Sequence, residues 1–127
     1  MTSSAPVGVV LAGGASSRMG TDKAVLVVEG VPMARRVADA LVAGGCTPVL
    51  AVGGDGGRLA SLGFEVLPDR EPGAGPLGGL ATAIVELERR GWSARDLVAV
   101  ACDLPWLDAA TVRRIVNMTA LTVVDAG

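Results

Sequence analysis

Histidine and tyrosine are absent from this chain, lysine occurs once, and aromatic residues make up only 2% of its 127 positions. Without histidine, and with Cys46 and Cys102 in no ligand spacing, a zinc or haem site has almost nothing to be built from. So few rings leave no wall of stacked aromatics for reading bases. The hydrophobic half of the chain must make its core from Val, Leu, Ile and Ala, with Phe64, Trp92 and Trp106 as isolated large fillers. Net charge is −2 and there is no basic stripe, so the electrostatic footprint of a nucleic-acid binder is missing. The N-terminal stretch has no basic residue before Arg18 and its apolar run is short, which speaks against a secretory signal and a membrane span. These absences point to a cytoplasmic protein with reduced, half-buried thiols that binds neither membrane nor nucleic acid.

What is present reads as one domain over residues 1–127, long enough to bury roughly two-thirds of the surface its unfolded chain would expose. β-branched apolar runs alternate with longer stretches of helical periodicity, the pattern of an α/β layer fold with a mostly parallel sheet. Strands are expected near 7–12, 48–52, 64–67, 96–101 and 121–124, and helices over 32–42, 76–90 and 108–118. The first helix has Pro32 at its opening turn, Met33, Val37 and Leu41 at four-residue spacing, and Gly44-Gly45 past its end. Asp108 is the expected N-cap of the last. The doublets Arg35-Arg36, Arg89-Arg90 and Arg113-Arg114 read as solvated helix faces, and Gly53-Gly54-Asp55-Gly56-Gly57 as a surface turn.

The single lysine, Lys23, closes the run Gly13-Gly14-Ala15-Ser16-Ser17-Arg18-Met19-Gly20-Thr21-Asp22-Lys23, which follows the first strand directly. Paired glycines let backbone N–H groups approach an anion closely, and Arg18 and Lys23 bring positive charge to the same place. The spacing fits neither a P-loop nor a Gly-x-Gly-x-x-Gly fingerprint, but the combination suits a phosphorylated ligand. Asp103 ends the apolar run from Leu97 to Cys102, so a carboxylate arrives at a strand tip, where it can either begin a turn or hold a cation. Magnesium takes oxygen ligands, commonly one or two carboxylates plus substrate phosphates. Asp69 follows the third strand and precedes Gly73-Ala74-Gly75-Pro76-Leu77-Gly78-Gly79, a loop able to lay amides and a helix N-terminus against a nucleotide. All these loops follow strands, and in open α/β sheets ligands sit beyond the carboxyl ends of the strands.

Taken in order, Leu11 to Lys23, Gly75-Pro76-Leu77-Gly78-Gly79 and Cys102-Asp103-Leu104-Pro105 resemble the signatures of the MobA-like nucleotidyltransferases, specifically the molybdenum cofactor guanylyltransferases. The resemblance implies a Rossmann-like three-layer αβα fold of the nucleotide-diphospho-sugar-transferase type. It also implies transfer of GMP from GTP to the phosphate of molybdopterin or the molybdenum cofactor, with Mg²⁺ as cofactor. Leu11, Ala12, Gly13 and Gly14 would line the nucleotide, Lys23 and Arg18 would act on its phosphates, Asp69 would bind nucleotide, and Asp103 would hold the metal. Family members usually run longer, adding sheet and part of the acceptor pocket, so a C-terminally shortened version of the fold is expected, with an open edge favouring homo-oligomers. At Val52-Gly53 the resemblance leads to a search for an asparagine, and none is there. Two rival readings stand beside it: a nucleotide-binding module that needs a partner for turnover, and a related cytidylyl or sugar-phosphate nucleotidyltransferase.

Overall fold

The computed structural model describes residues 5–12, 27–28, 30–54, 56–68, 70, 75–102, 104, 106–117 and 123–124. The elements run β1 (Val7–Leu11), β2 (Val27–Val28), β3 (Val31–Pro32), α1 (Met33–Ala43), β4 (Val49–Val52), α2 (Gly56–Ser61), β5 (Glu65–Leu67), α3 (Gly75–Arg89), β6 (Leu97–Ala101), α4 (Ala109–Val116) and β7 (Val123–Val124). Five strands form one sheet in the order β5-β4-β1-β6-β7, every neighbouring pair parallel. β2 and β3 form a separate antiparallel hairpin. Strand order reverses at β1: the chain moves outward through β4 and β5, then returns to the other side of β1 as β6.

The central strand is apolar at four of its five positions and buried on both faces, as a parallel strand covered by helices must be. Side chains alternate with the period of the pleat. Val7, Val9 and Leu11 join Leu50, Val52 and Ala99 in the core under Leu80, Ala83 and Leu87 of α3. Val10 joins Ala51, Val98 and Val100 in the core under Val37 and Leu41 of α1, Leu59 of α2, and Val112 and Ile115 of α4. The result is a three-layer αβα arrangement, with α3 on one face and α1, α2 and α4 on the other. Each wholly buried valine stabilises this arrangement by roughly 1.5–3 kcal/mol.

Glycine ends three of the four helices. Past α1 the N–H of Gly45 donates to Val42 O and that of Cys46 to Leu41 O, at 3.0 and 2.9 Å, with Gly45 at φ 107°. This is a Schellman motif. The same pair of bonds recurs past α2 around Gly63 and past α3 around Gly91, both at positive φ. Asp108 caps α4 as expected, its carboxylate accepting from the Thr111 N–H at 2.8 Å. Hydrogen bonding from the Thr111 side chain, and then from its N–H, keeps the Asp108 pKa below the usual carboxylate range.

Several expectations need correction. α2 occupies part of the glycine cluster read as a turn, and the β2–β3 hairpin was not foreseen. Pro32 sits in the β3 strand and at the N-cap of α1, with ψ 142°, outside the helix proper. The arginine doublets are not simply solvated. Arg35 bonds Leu62 O at 3.1 Å and lies 5.0 Å from the Phe64 ring centroid, while Arg90 pairs with Glu86 and Glu65 and stacks on Trp92. Both cysteines are buried rather than half-buried, and burial pushes the Cys46 thiol up to about 11. Trp106 is no core filler, being 68% exposed.

Candidate active site

The parallel register brings the carboxyl ends of the strands to one line. Leu11 pairs with Val52 on one side and with Ala101 on the other, and Val52 pairs with Leu67. The chain leaving β1 at residue 12, β4 at 53, β5 at 68 and β6 at 102 therefore emerges along a single edge. From β5 to β6 is three strand spacings, about 14 Å, a span a nucleoside triphosphate can bridge. The edge contains the switch point between β1 and β6, where a doubly wound sheet opens a crevice.

Of the residues singled out in the sequence, Leu11 and Ala12 are described, and Gly13, Gly14, Arg18, Lys23, Asp69 and Asp103 lie outside the described residues. Their described neighbours are tightly held. The Leu11 carbonyl accepts from the Cys102 N–H at 3.2 Å, and the Ala12 N–H donates to Val52 O at 2.9 Å. The backbone is thus fixed by both neighbouring strands up to the residue before Gly13-Gly14. Cys102 turns into the core against α1 and α4, so its sulfur is not offered to the edge.

Glycines make the close approaches. A Cβ on Gly79, in the first turns of α3, would stand 2.9 Å from Leu11 Cδ2. One on Gly54, at φ 68°, would stand 3.0 Å from Ala12 Cβ and 3.1 Å from its carbonyl oxygen. Gly54 therefore packs against Ala12, the residue before the glycine-rich run.

Sequence reasoning also missed Thr82. Its side chain is buried, accepts from the Arg70 N–H at 3.1 Å and donates to Gly78 O at the same distance. One hydroxyl thus fastens the chain next to Asp69 to the Gly78-Gly79 turn of α3. The signal was a lone threonine on the apolar side of a helix, four residues after Gly78. Among the described residues there is no cluster of three His, Cys, Asp or Glu side chains that could hold a metal. No helix among them is long and apolar enough to cross a membrane.

Comparison with known proteins agrees with this geometry. The MobA-like NTP transferase domain profile matches residues 8–125. The chain is 39% identical over 110 residues to a molybdenum cofactor guanylyltransferase of Rhodobacter capsulatus, covering 85% of this chain and 56% of that protein. It is 38% identical over 117 residues to another from Bradyrhizobium sp. (strain ORS 278), covering 90% and 55%. A solved structure described as a hypothetical transferase from Thermus thermophilus superposes with a TM-score of 0.64 at 29% identity, over 91% of this chain and 47% of that one. The chain spans about half the length of the curated relatives it matches.

Proposed function

The chain belongs to the MobA-like NTP transferase family, and from that premise we propose that it transfers GMP from GTP to the phosphate of molybdopterin or the molybdenum cofactor in the cytosol. The observation that carries the reading is the aligned strand edge. The carboxyl ends of β1, β4, β5 and β6 lie along one edge of the sheet, with the switch point between β1 and β6, and this supports the reading that the chain following those strands forms the site. The names of the curated relatives supply the base and the acceptor.

In this reading the loop after Ala12 cradles the triphosphate with its amides, and Arg18 and Lys23 balance its charge. An oxygen of the acceptor phosphate attacks the α-phosphorus in line. The bond from that phosphorus to the bridging oxygen breaks, and pyrophosphate leaves with the electron pair. No protein nucleophile is required, and catalysis is positioning with electrostatic stabilisation. Donor chemistry at the β6 tip fits a hard cation: with no histidine in the chain and Cys102 turned inward, Asp103 is left to offer oxygen. Mg²⁺ held there would supply charge neutralisation on the phosphates.

Thermal unfolding with GTP, CTP and UTP, each with and without Mg²⁺, tests the nucleotide half. A ligand at a hundred times its Kd adds about 2.7 kcal/mol of stability, and a Mg-dependent shift for GTP alone is the expected result. Pyrophosphate release on adding molybdopterin then tests transfer. GTP binding without release would favour the module that requires further chain, and a shift with CTP instead would point to a cytidylyl transferase.

A further inference from the structure

Trp106 is the exception among the aromatic residues. Phe64 is buried, and Trp92 is half-buried between Arg90 and Arg95 at the opposite, amino edge of the sheet. Trp106 is 68% exposed at the carboxyl edge. Its exposure is built in. The Leu107 N–H donates to Leu104 O at 3.0 Å, and the next residue, Asp108, is fixed by its cap bond to Thr111. Leu104 and Leu107 pack against the core on either side. The turn is therefore pinned by flanking leucines and by the helix it leads into, and the indole is the part left outside.

A cation also lies over the ring. Arg36, on the second turn of α1, places its guanidinium 5.8 Å from the Trp106 ring centroid, within reach of a cation–π contact. α1 begins at this same edge, because it runs back toward the start of β4. An exposed indole with a guanidinium over one face is suited to a planar heterocycle that carries an anionic group: rings stack on the other face, and the cation attracts the anion. Trp106 lies three positions beyond Asp103, at most about 11 Å of chain away. A ring seated there belongs to a molecule whose phosphate can reach the proposed transfer centre.

We propose that Trp106 and Arg36 seat the ring system of the acceptor, a phosphorylated pterin, on the α1–α4 side of the crevice. The assignment rests on the transferase reading of the preceding section. It adds the residues that recognise the acceptor and the face from which the acceptor enters. Stacking supplies affinity for the flat ring, and the guanidinium makes a phosphorylated pterin bind better than its unphosphorylated counterpart.

The test uses the full chain carrying Trp92→Phe, so that Trp106 alone emits, titrated with neopterin phosphate, neopterin and inorganic phosphate. Saturable quenching is expected, strongest with neopterin phosphate and absent with inorganic phosphate. In equilibrium dialysis Trp106→Ala should weaken neopterin phosphate binding by roughly tenfold or more. Trp106→Phe should keep most of it, and Arg36→Ala should narrow the preference for the phosphorylated form. The Mg-GTP thermal shift should be the same in all these variants. Unchanged emission in a protein that still shows that shift would overturn the assignment and leave the transferase reading standing. Loss of both responses would bring down the reading beneath it as well. A change in sedimentation mass on Trp106→Ala, with pterin affinity intact, would make Trp106 a contact between copies and likewise overturn the assignment.

Discussion

Thr82 holds two pieces of backbone with one oxygen. It takes the Arg70 N–H from the chain after β5 and gives its own proton to Gly78 in α3. Thr82→Val keeps the shape and leaves that N–H without its partner in a half-buried position, which costs about 1–2 kcal/mol. Because Asp69 is the preceding residue, Mg-GTP affinity should fall along with stability, while Thr82→Ser restores both. Urea unfolding and GTP titration of the two variants check this; a loss in Thr82→Ser with none in Thr82→Val would show that the methyl group, not the hydroxyl, matters. Cys46 carries the opposite lesson, a reactive atom made inert. Its thiol is pushed up from 9.0 to about 11 by burial, so the protonated form that suits the fold prevails at neutral pH, and stability present below pH 9 is lost as pH rises through 11.

Elements were legible where a pattern ran long enough and obscured where packing overrode it. β1, β4, β5 and β6 stand within a residue of their expected bounds, as do α1 and α3, because apolar periodicity and glycine stops mark both strand and helix. α2 escaped because Gly56-Gly57 opens it, and glycine is about the worst helix former after proline. What makes it a helix is burial of Leu59 in the core and the Schellman close at Gly63. Trp106 escaped because composition cannot say which large residue stays outside.

The α1–α4 contact gives a sharper test at this scale. A Cβ on Gly44 would fall 2.5 Å from Val112 Cβ. Gly44 has φ −84°, so alanine suits its backbone and should gain a few tenths of a kcal/mol, yet the clash should cost about 1–3 kcal/mol and win. Gly45→Ala meets nothing within 4 Å but forces alanine to φ 107°, a backbone cost of roughly 1–2 kcal/mol. Urea midpoints of the two single variants check both losses. On the other face, hydrogen bonds from Arg89 and Arg90 lower the Glu86 pKa from 4.5 to about 2. Arg90 also reaches Glu65, so the pair ties α3 to the edge strand β5. A depressed carboxylate contributes above its unfolded pKa, so this increment is present above pH 4.5 and vanishes as pH falls toward 2. Glu86→Gln should flatten the melting profile in that window, more visibly at low salt.

At the scale of the whole molecule, the cores and the proposed site occupy different places. Both cores lie against the faces of the sheet and are closed by the helices. Gly13, Gly14, Arg18, Lys23, Asp69 and Asp103 all come after strand ends in the chain order, which could be read from sequence, whereas the alignment of those strand ends along one edge required the register of β1 with β4 and β6. A division of this kind predicts that site and core variants fail in different assays. Lys23→Ala and Asp103→Asn should unfold within about 0.5 kcal/mol of the parent without ligand, as surface substitutions do. If each weakens Mg-GTP binding a hundredfold, both should lose nearly all of the roughly 2.7 kcal/mol that saturating nucleotide adds. Asp103→Asn should also lose the dependence of the shift on Mg²⁺. Gly44→Ala should do the reverse, melting earlier while keeping its Mg-GTP increment, because the α1–α4 packing at Val112 lies at the amino edge, away from the site. Calorimetry of these variants with and without Mg-GTP decides the matter: a full ligand shift in both Lys23→Ala and Asp103→Asn would move the site away from this edge.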